Sequence, residues 1–261
     1  MNKIRFIYPK FTTSISLTKS QCSLDCYYCQ SKYLSHMKSL SNLHLSKDLK
    51  SLLISGGVNP QGIVPFMDKK DEILKLKAKG IRVNFHPGAK IDKNTAKAIK
   101  EIADVISFDF ISDEYTIKQV YKGFYNADDY ITSIENLINN NIRVVPHILC
   151  GVLYGNIKGE RKAILRLKEM GFNEAVLLVL RPPKDSDIHS PEPEKIIDVV
   201  KDIDMNITLG CMRPGGNYRK KIDILAAQNN FSTIVMPHPD CERYCMENDY
   251  IIEKGDECCV F

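Results

Sequence analysis

Short apolar runs rich in β-branched residues alternate along the chain with segments whose apolar residues recur every three to four positions. The first pattern is typical of strands in a buried parallel sheet, and the second is typical of amphipathic helices. Eight segments have the strand pattern: 13–19, 52–57, 82–86, 105–110, 143–152, 175–180, 206–212 and 233–237. Six segments between them have the helical pattern: 67–79, 92–101, 127–139, 158–170, 191–203 and 219–228. This alternation predicts repeated βα units around a parallel sheet.

Eight βα units predict an α/β protein whose residues 1–240 form a single (β/α)8 TIM-type barrel, with a partial (β/α)6 barrel as the alternative. Gly80, Asn141 and Gly171 stand where three of the helices are expected to end. Residues 241–261 follow the last predicted strand and form a cysteine-rich C-terminal tail. In a barrel of this type the active site lies at the C-terminal ends of the strands. The list of strands is therefore also a guide to the site residues.

Composition excludes several classes of protein. The chain has 261 residues, of which 44% are hydrophobic and 26% charged, as in ordinary globular proteins. Its start has no apolar signal segment and no run approaches 18 apolar residues, so neither secretion nor a membrane span is expected. Nine cysteines then indicate a cytoplasmic location and metal ligation rather than disulfides. A net charge of +4 does not predict nucleic-acid binding, although an acidic protein partner is compatible with it.

Three cysteines follow the first predicted strand: Cys22, Cys26 and Cys29. Their spacing fits three corners of a 4Fe–4S cluster, and no fourth cysteine follows in the loop. Ferredoxins that only transfer electrons close all four positions with thiolates, so this spacing predicts one iron that is open to a small molecule. The alternatives are a disulfide pair and a zinc site, for which only His36 is near enough in sequence to supply a fourth ligand.

The cysteine spacing, with Tyr28 directly before Cys29, resembles the signature of the radical S-adenosylmethionine (radical SAM) superfamily. The resemblance implies that the amino and carboxylate groups of S-adenosylmethionine chelate the open iron. It also implies that one electron from the cluster cleaves the sulfonium and gives a 5′-deoxyadenosyl radical. That radical abstracts hydrogen from an unactivated carbon.

Two further segments resemble parts of the same superfamily. Ser55, Gly56 and Gly57 follow the second predicted strand and resemble the Gly-Gly motif whose carbonyls bind the ammonium of the methionine moiety. Val58 stands where the superfamily often has an acid. Residues 151–160 resemble a Gly-x-Ile-x-Gly region that packs against adenine, which assigns this contact to Ile157.

Polar groups at other strand ends complete the expected cofactor site. Leu180, at the end of the sixth predicted strand, is expected to contact the adenine edge through its backbone. The remaining candidates are expected beside the ribose or the substrate and are Asn84, His86, Ser107 and Asp109.

Cys211 and Arg213 at the seventh predicted strand are the candidate catalytic pair. Residues two apart on a strand point to the same side, and a buried arginine needs an anionic partner. The partner expected is the carboxylate of S-adenosylmethionine, a substrate carboxylate or a second cluster; the alternative is an ordinary pair with a nearby acid.

The tail supplies the candidate ligands of a second iron–sulfur cluster. These are Cys241, Cys245, Cys258 and Cys259, with Cys211 as an additional ligand. Free cysteines and a zinc site are the alternatives.

Segments throughout the chain, including residues 83–88, 115–121 and 210–214, resemble a biotin-synthase-related family of radical SAM proteins. That family includes one component of the archaeal-type two-protein lipoyl synthase. The resemblance implies sulfur insertion into the octanoyl group of a lipoyl carrier protein. It also implies a second radical SAM protein and a low-potential electron donor as partners. The alternatives are a radical SAM enzyme of cofactor biosynthesis without sulfur transfer, and a non-enzymatic iron–sulfur or zinc module.

Overall fold

Strands and α-helices alternate along residues 2–261, which the computed structural model describes. The strands are β1 (Lys3–Ile7), β2 (Thr12–Ser16), β3 (Ser51–Ser55), β4 (Arg82–Phe85), β5 (Val105–Asp109), β6 (Val144–Cys150), β7 (Glu174–Val179), β8 (Asn206–Leu209), β9 (Thr233–Val235) and β10 (Ile251–Gly255). The helices are α1 (Lys70–Lys77), α2 (Lys93–Ile102), α3 (Glu114–Tyr121), α4 (Ala127–Asn139), α5 (Glu160–Glu169), α6 (Pro193–Val200), α7 (Gly216–Gln228) and α8 (Pro239–Glu247). Three short 3-10 turns lie at Leu34–His36, Leu40–Asn42 and Met67–Lys69.

The predicted α/β, TIM-like class is confirmed. The eight predicted strands correspond to β2–β9, and the six predicted helices correspond to α1, α2 and α4–α7. Gly80, Asn141 and Gly171 have positive φ angles of 84°, 54° and 89°, the left-handed conformation that ends helices.

The sequence reasoning missed β1, β10, α3 and α8. In β1 the apolar Ile4 and Phe6 alternate with polar residues and are buried, so the signal was present. In contrast, β10 has little buried surface, and its existence depends on pairing with β1. The segment interpreted as a tail therefore consists largely of α8 and β10, and the boundary predicted at residue 240 falls inside α8.

The chain divides into two compact units. The first holds the residues up to Pro9 with Phe110–Thr116 and Pro146–Cys259. Its strands are parallel and are arranged in the order β10-β1-β9-β8-β7-β6. Their apolar side chains, such as Leu177, Leu209 and Ile234, are fully buried, as expected for a parallel sheet covered on both faces.

The second unit holds Lys10–Asp109, Ile117–Val145 and the last two residues. Its strands are also parallel, in the order β5-β4-β3-β2. A long connection, residues 17–50, joins the edge strand β2 to β3 without an α-helix or a strand of its own. Connections of this length inside compact domains are commonly functional.

Part of this connection covers the free edge of β2. The backbone N–H of Lys38 donates to the carbonyl of Ser14 at 3.0 Å, and the N–H of Ser16 donates to the carbonyl of Lys38 at 2.8 Å. These bonds satisfy groups that an open edge strand would leave unpaired.

Within residues 2–261 no helix combines the length and the apolar character that a membrane crossing requires.

Candidate functional site

The three candidate cluster cysteines lie on one tight loop after β2. The backbone N–H groups of Cys29 and Gln30 both donate to the carbonyl of Cys26, each at 3.0 Å. Gln30 and Ser31 have positive φ angles of 47° and 56°, so the chain turns back on itself directly after the last cysteine. Cys26 is buried, whereas Cys22 and Cys29 are partly exposed. The loop therefore presents its cysteines close to the protein surface.

This cysteine loop packs against the end of β3. The N–H of Ser23 donates to the carbonyl of Val58 at 2.8 Å, and the N–H of Gly57 donates to the hydroxyl of Thr18 at 2.7 Å. A Cβ atom at Gly57 would lie 2.0 Å from the carbonyl oxygen of Gln21 and 2.5 Å from the Cβ of Cys22. Only glycine permits this approach. The two motifs recognised separately in the sequence thus form one unit.

Burial and mutual repulsion disfavour the thiolate forms of Cys26 and Cys29. Burial, followed by repulsion from the thiolates of Cys29 and Cys22, raises the pKa of Cys26 to about 12. Burial likewise raises the pKa of Cys29, with a further contribution from Cys22. The N–H of Leu24 donates to the sulfur of Cys22 at 3.4 Å. A cationic iron group held by all three sulfurs would remove this mutual repulsion, so the donor set fits such a group.

The alternatives to an iron–sulfur cluster are a disulfide pair and a zinc site. All nine cysteines are free. No three Cys, His, Asp or Glu side chains within residues 2–261 converge as they would around a single metal ion. A four-iron cluster is much larger than one ion, so its corner ligands stand farther apart. His36, the one nearby zinc ligand, is exposed on a 3-10 turn.

Tyr28 connects the cysteine loop to a group of aromatic residues. Its hydroxyl bonds to Cys26 and lies 3.3 Å from the hydroxyl of Tyr121. Tyr121 and Tyr130 each pack edge to face against Tyr125, and the Tyr125 hydroxyl donates to the carbonyl of Gly62 at 3.0 Å. Burial raises the pKa of Tyr28 and of Tyr121 well above the usual value. These rings form a rigid wall beside the cysteines.

Sequence reasoning missed Tyr121, Tyr125 and Tyr130. Their one available signal was the density of tyrosines between positions 115 and 130. No regular spacing within that stretch indicated that they would meet.

The polar residues at the ends of β4 and β5 differ in whether a ligand could bind them. The backbone N–H and hydroxyl of Ser107 both donate to the side-chain oxygen of Asn84, at 3.1 and 2.9 Å. Asn84 and Ser107 are fully buried and thus satisfy each other. Asp109 is open to solvent, yet the protein around it removes enough water to raise its pKa to about 6. His86 and Ser55 are partly exposed. Of this group, Asp109 has the carboxylate most available to a ligand.

In the first unit, the segment after β6 is a rigid loop. Glu160 is buried, and its carboxylate accepts from the N–H groups of Gly151 at 2.8 Å and Lys158 at 2.5 Å, which is a structural role. Ile157 remains partly exposed on this loop, as an adenine-packing residue would be.

Leu180 is less open to a ligand. Its side chain is fully buried, its N–H donates to Cys150 at 3.0 Å and its carbonyl accepts from Ser190 at 2.9 Å. Both main-chain groups on which the predicted adenine contact depends are therefore already bonded.

Cys211 and Arg213 do not share a strand face. The strand β8 ends at Leu209, three residues before the predicted end, so the residues after it no longer alternate. Cys211 is exposed, whereas Arg213 is 1% exposed. The guanidinium of Arg213 donates to both carboxylate oxygens of Asp223 on α7, at 2.7 and 2.9 Å. The anionic partner of Arg213 is thus an ordinary acid, the alternative weighed from the sequence.

The other candidate metal cysteines belong to two groups. Cys241 and Cys245 lie one turn apart on α8, both fully buried, and the thiol of Cys241 donates to Cys245. A hydrogen bond with Cys258, followed by burial and by repulsion from the thiolates of Cys258 and Cys211, raises the pKa of Cys259. Burial, followed by repulsion from the thiolate of Cys258, raises the pKa of Cys211. The structure therefore associates Cys211 with the last two cysteines rather than with the helical pair.

Comparison with known proteins identifies the fold but not the family. No protein-family model and no curated protein matches the sequence. Similar solved structures include the FeFe-hydrogenase maturase HydG from Carboxydothermus hydrogenoformans, with a TM-score of 0.62 and 14% identity. The match covers 89% of this chain, which spans 58% of HydG.

Two other structures show how widely this fold is used. HMG-CoA lyase from Brucella melitensis has a TM-score of 0.56 and 11% identity over 97% of this chain and 93% of its own. The protein anSMEcpe, solved with bound S-adenosylmethionine (AdoMet) and a peptide, has a TM-score of 0.50 and 13% identity over 85% of this chain and 62% of its own. The fold alone therefore does not determine the chemistry.

Replacing Gly57 by alanine is predicted to displace the cysteine loop, because the new Cβ has no room beside Gln21. The expected result is a loss of about 1–3 kcal/mol in the free energy of unfolding and a marked loss of iron bound after anaerobic reconstitution. Gly56→Ala, whose Cβ would lie 3.0 Å from a side-chain methyl of Val64, should have a smaller effect. Gly215→Ala, with open space around it, is the control; equal iron in all three variants would contradict the prediction.

Removing Asp223 is predicted to destabilise the protein strongly, because it leaves the Arg213 guanidinium buried and unpaired. We expect Asp223→Ala to cost about 3–5 kcal/mol in the free energy of unfolding. The double variant Arg213→Met/Asp223→Leu should cost less than Asp223→Ala, because no buried charge is left without a partner. Chemical denaturation measures both. A double variant that is less stable than the single one would show that the pair itself is not the cause.

Proposed function

We propose that this chain is a radical SAM enzyme. The observation that carries the proposal is the close packing of the Cys22/Cys26/Cys29 loop on Gly57. It joins a three-thiol cluster site to backbone groups suited to the amino-acid end of S-adenosylmethionine. The solved structure of anSMEcpe with bound AdoMet adds support, since a similar fold holds that ligand. Because HMG-CoA lyase has the same fold, the cysteine loop carries more weight than the overall similarity.

In the second unit, different residues would bind the cluster and S-adenosylmethionine. Cys22, Cys26 and Cys29 would hold a 4Fe–4S cluster, and the carbonyls of Gly56 and Gly57 would accept from the ammonium of S-adenosylmethionine, since the carbonyl of Ser55 already accepts from the N–H of Leu17 at 2.8 Å. When bound, the cluster supplies the electron that cleaves the sulfonium and releases the 5′-deoxyadenosyl radical.

Two further residues would support these ligands. Tyr28 orients Cys26 by a hydrogen bond, and the rings behind it exclude water. Asp109 would accept hydrogen bonds from the ribose hydroxyls through its exposed carboxylate.

The reaction we propose is sulfur insertion into the octanoyl group of a lipoyl carrier protein, together with a second radical SAM protein. An unactivated C–H bond requires a radical, and the inserted sulfur requires a source. We propose that Cys211, Cys258 and Cys259 bind a second iron–sulfur cluster, because Cys211 and the adjacent pair Cys258–Cys259 come from two separate segments and interact electrostatically. The buried pair Cys241–Cys245 then has a structural role. Free cysteines and a low-potential electron donor fit a cytoplasmic enzyme.

The first test is reductive cleavage of S-adenosylmethionine. Anaerobically reconstituted protein with dithionite is expected to form 5′-deoxyadenosine, whereas Cys26→Ala should lower its formation by at least about 100-fold, since an incomplete ligand set loses the cluster. Cys150→Ala is the control, because Cys150 is fully buried in β6 and belongs to neither candidate ligand set. Product is quantified by chromatography and mass spectrometry. Equal formation by the wild type and Cys26→Ala would eliminate the radical SAM proposal.

The second test addresses the sulfur source. With an octanoylated carrier protein, the partner enzyme and reductant, the carrier is expected to gain the mass of inserted sulfur. Cys258→Ala/Cys259→Ala should still cleave S-adenosylmethionine but bring no mass gain, and its iron content should fall from about eight to about four per chain. Cys241→Ala/Cys245→Ala should keep about eight. Cleavage without mass gain in the wild type, while another substrate is methylated or rearranged, would instead favour an enzyme without sulfur transfer.

A further inference from the structure

The net charge of the chain is concentrated in one segment. Residues 10–50 contain six lysines and two aspartates, a formal charge of +4 that equals the charge of the whole chain. The remaining 30 basic and 30 acidic residues cancel. The cysteine loop lies in the middle of this segment. The small net charge of the whole chain is therefore a concentrated positive charge on residues 10–50.

Two of these lysines lie together beside the cysteine loop. Ser16, the last residue of β2, donates from its backbone N–H to the carbonyl of Lys38 at 2.8 Å and from its hydroxyl to the carbonyl of Lys19 at 2.6 Å. Ser16 thus anchors the backbone of both lysines, one on each side of the cysteines in the sequence. Both side chains are exposed.

The acids nearby do not neutralise this surface. Asp25, on the cysteine loop itself, lies 3.6 Å from Lys122, which follows α3, so its charge is already offset. Lys19, Lys38 and Lys47 form no ion pair with any of residues 2–261. We call Lys19 and Lys38, with the exposed part of the cysteine loop, the lysine face.

A localised, unpaired positive face attracts a partner of opposite charge and raises its rate of association. Two of the three cysteines are partly exposed, and Lys19 precedes Cys22 by three residues. A protein bound here would thus bring its own redox centre next to the iron–sulfur site, without access to the interior of the molecule.

We propose that the lysine face docks a small acidic one-electron carrier protein. This inference rests on the proposed function and specifies its electron donor. One electron leaves the reduced carrier, which is oxidised by one electron, and the 4Fe–4S cluster is reduced by one electron; no proton or group is transferred.

Binding tests the face directly. The probe is an acidic bacterial-type ferredoxin with two 4Fe–4S clusters, and its affinity for the reconstituted enzyme is measured by calorimetry at low salt. Lys19→Glu/Lys38→Glu is expected to weaken binding at least tenfold and to reduce its dependence on salt. The control Lys162→Glu/Lys195→Glu makes the same change of charge on exposed residues of α5 and α6 and should alter the affinity less than twofold. Equal weakening by both double variants, or by neither, would overturn the proposal.

Electron delivery supplies the second readout. With dithionite, which needs no docking surface, Lys19→Glu/Lys38→Glu should form 5′-deoxyadenosine at the wild-type rate. With the reduced ferredoxin at limiting concentration, the rate should fall at least tenfold. Loss of the dithionite-driven reaction, or loss of binding to octanoylated carrier protein with ferredoxin binding intact, would refute the docking role. A wild type that forms no 5′-deoxyadenosine even with dithionite would refute the proposed function instead.

Discussion

The close approach of the cysteine loop to the end of β3 is the contact on which the candidate site depends. At Gly57 the backbone of one strand end touches the backbone of the loop with no side chain between them. A hydrogen bond from Ser23 to Val58 fixes the same junction. The strand is part of a buried sheet, so packing against its end fixes the position of the loop. The cysteines of a long irregular segment are thereby held in place by a regular element of the fold.

Polar groups at the strand ends fall into two kinds. Some are satisfied within the protein: Asn84 by Ser107, and Arg213 by Asp223. Others are exposed to solvent and can bind a ligand, above all Asp109 and Cys211. A sequence pattern cannot separate the two kinds, because both place a polar residue after an apolar strand. The distinction arises from partners that are distant in the chain.

The parts of the fold that the sequence predicts are those governed by local pattern. Strands β2–β9 are rich in apolar and β-branched residues, and helix ends such as Gly80 have a residue suited to positive φ. The strand β10 has no such pattern, since it is defined by pairing with β1.

The site follows the same rule. The spacing of Cys22, Cys26 and Cys29 is local and was visible in the sequence. In contrast, the association of Cys211 with Cys258 and Cys259 depends on how separate segments meet. The tyrosine wall was missed for the same reason.

The bridge between Lys38 and β2 has a consequence for solubility. The segment around Lys38 occupies the hydrogen-bonding edge of β2, and it belongs to the same connection as the cysteines. Any condition that loosens the cysteine loop also frees an unpaired strand edge, which is a template for pairing with other chains. Loss of the ligand-binding loop and self-association of the protein are therefore coupled through a single stretch of backbone.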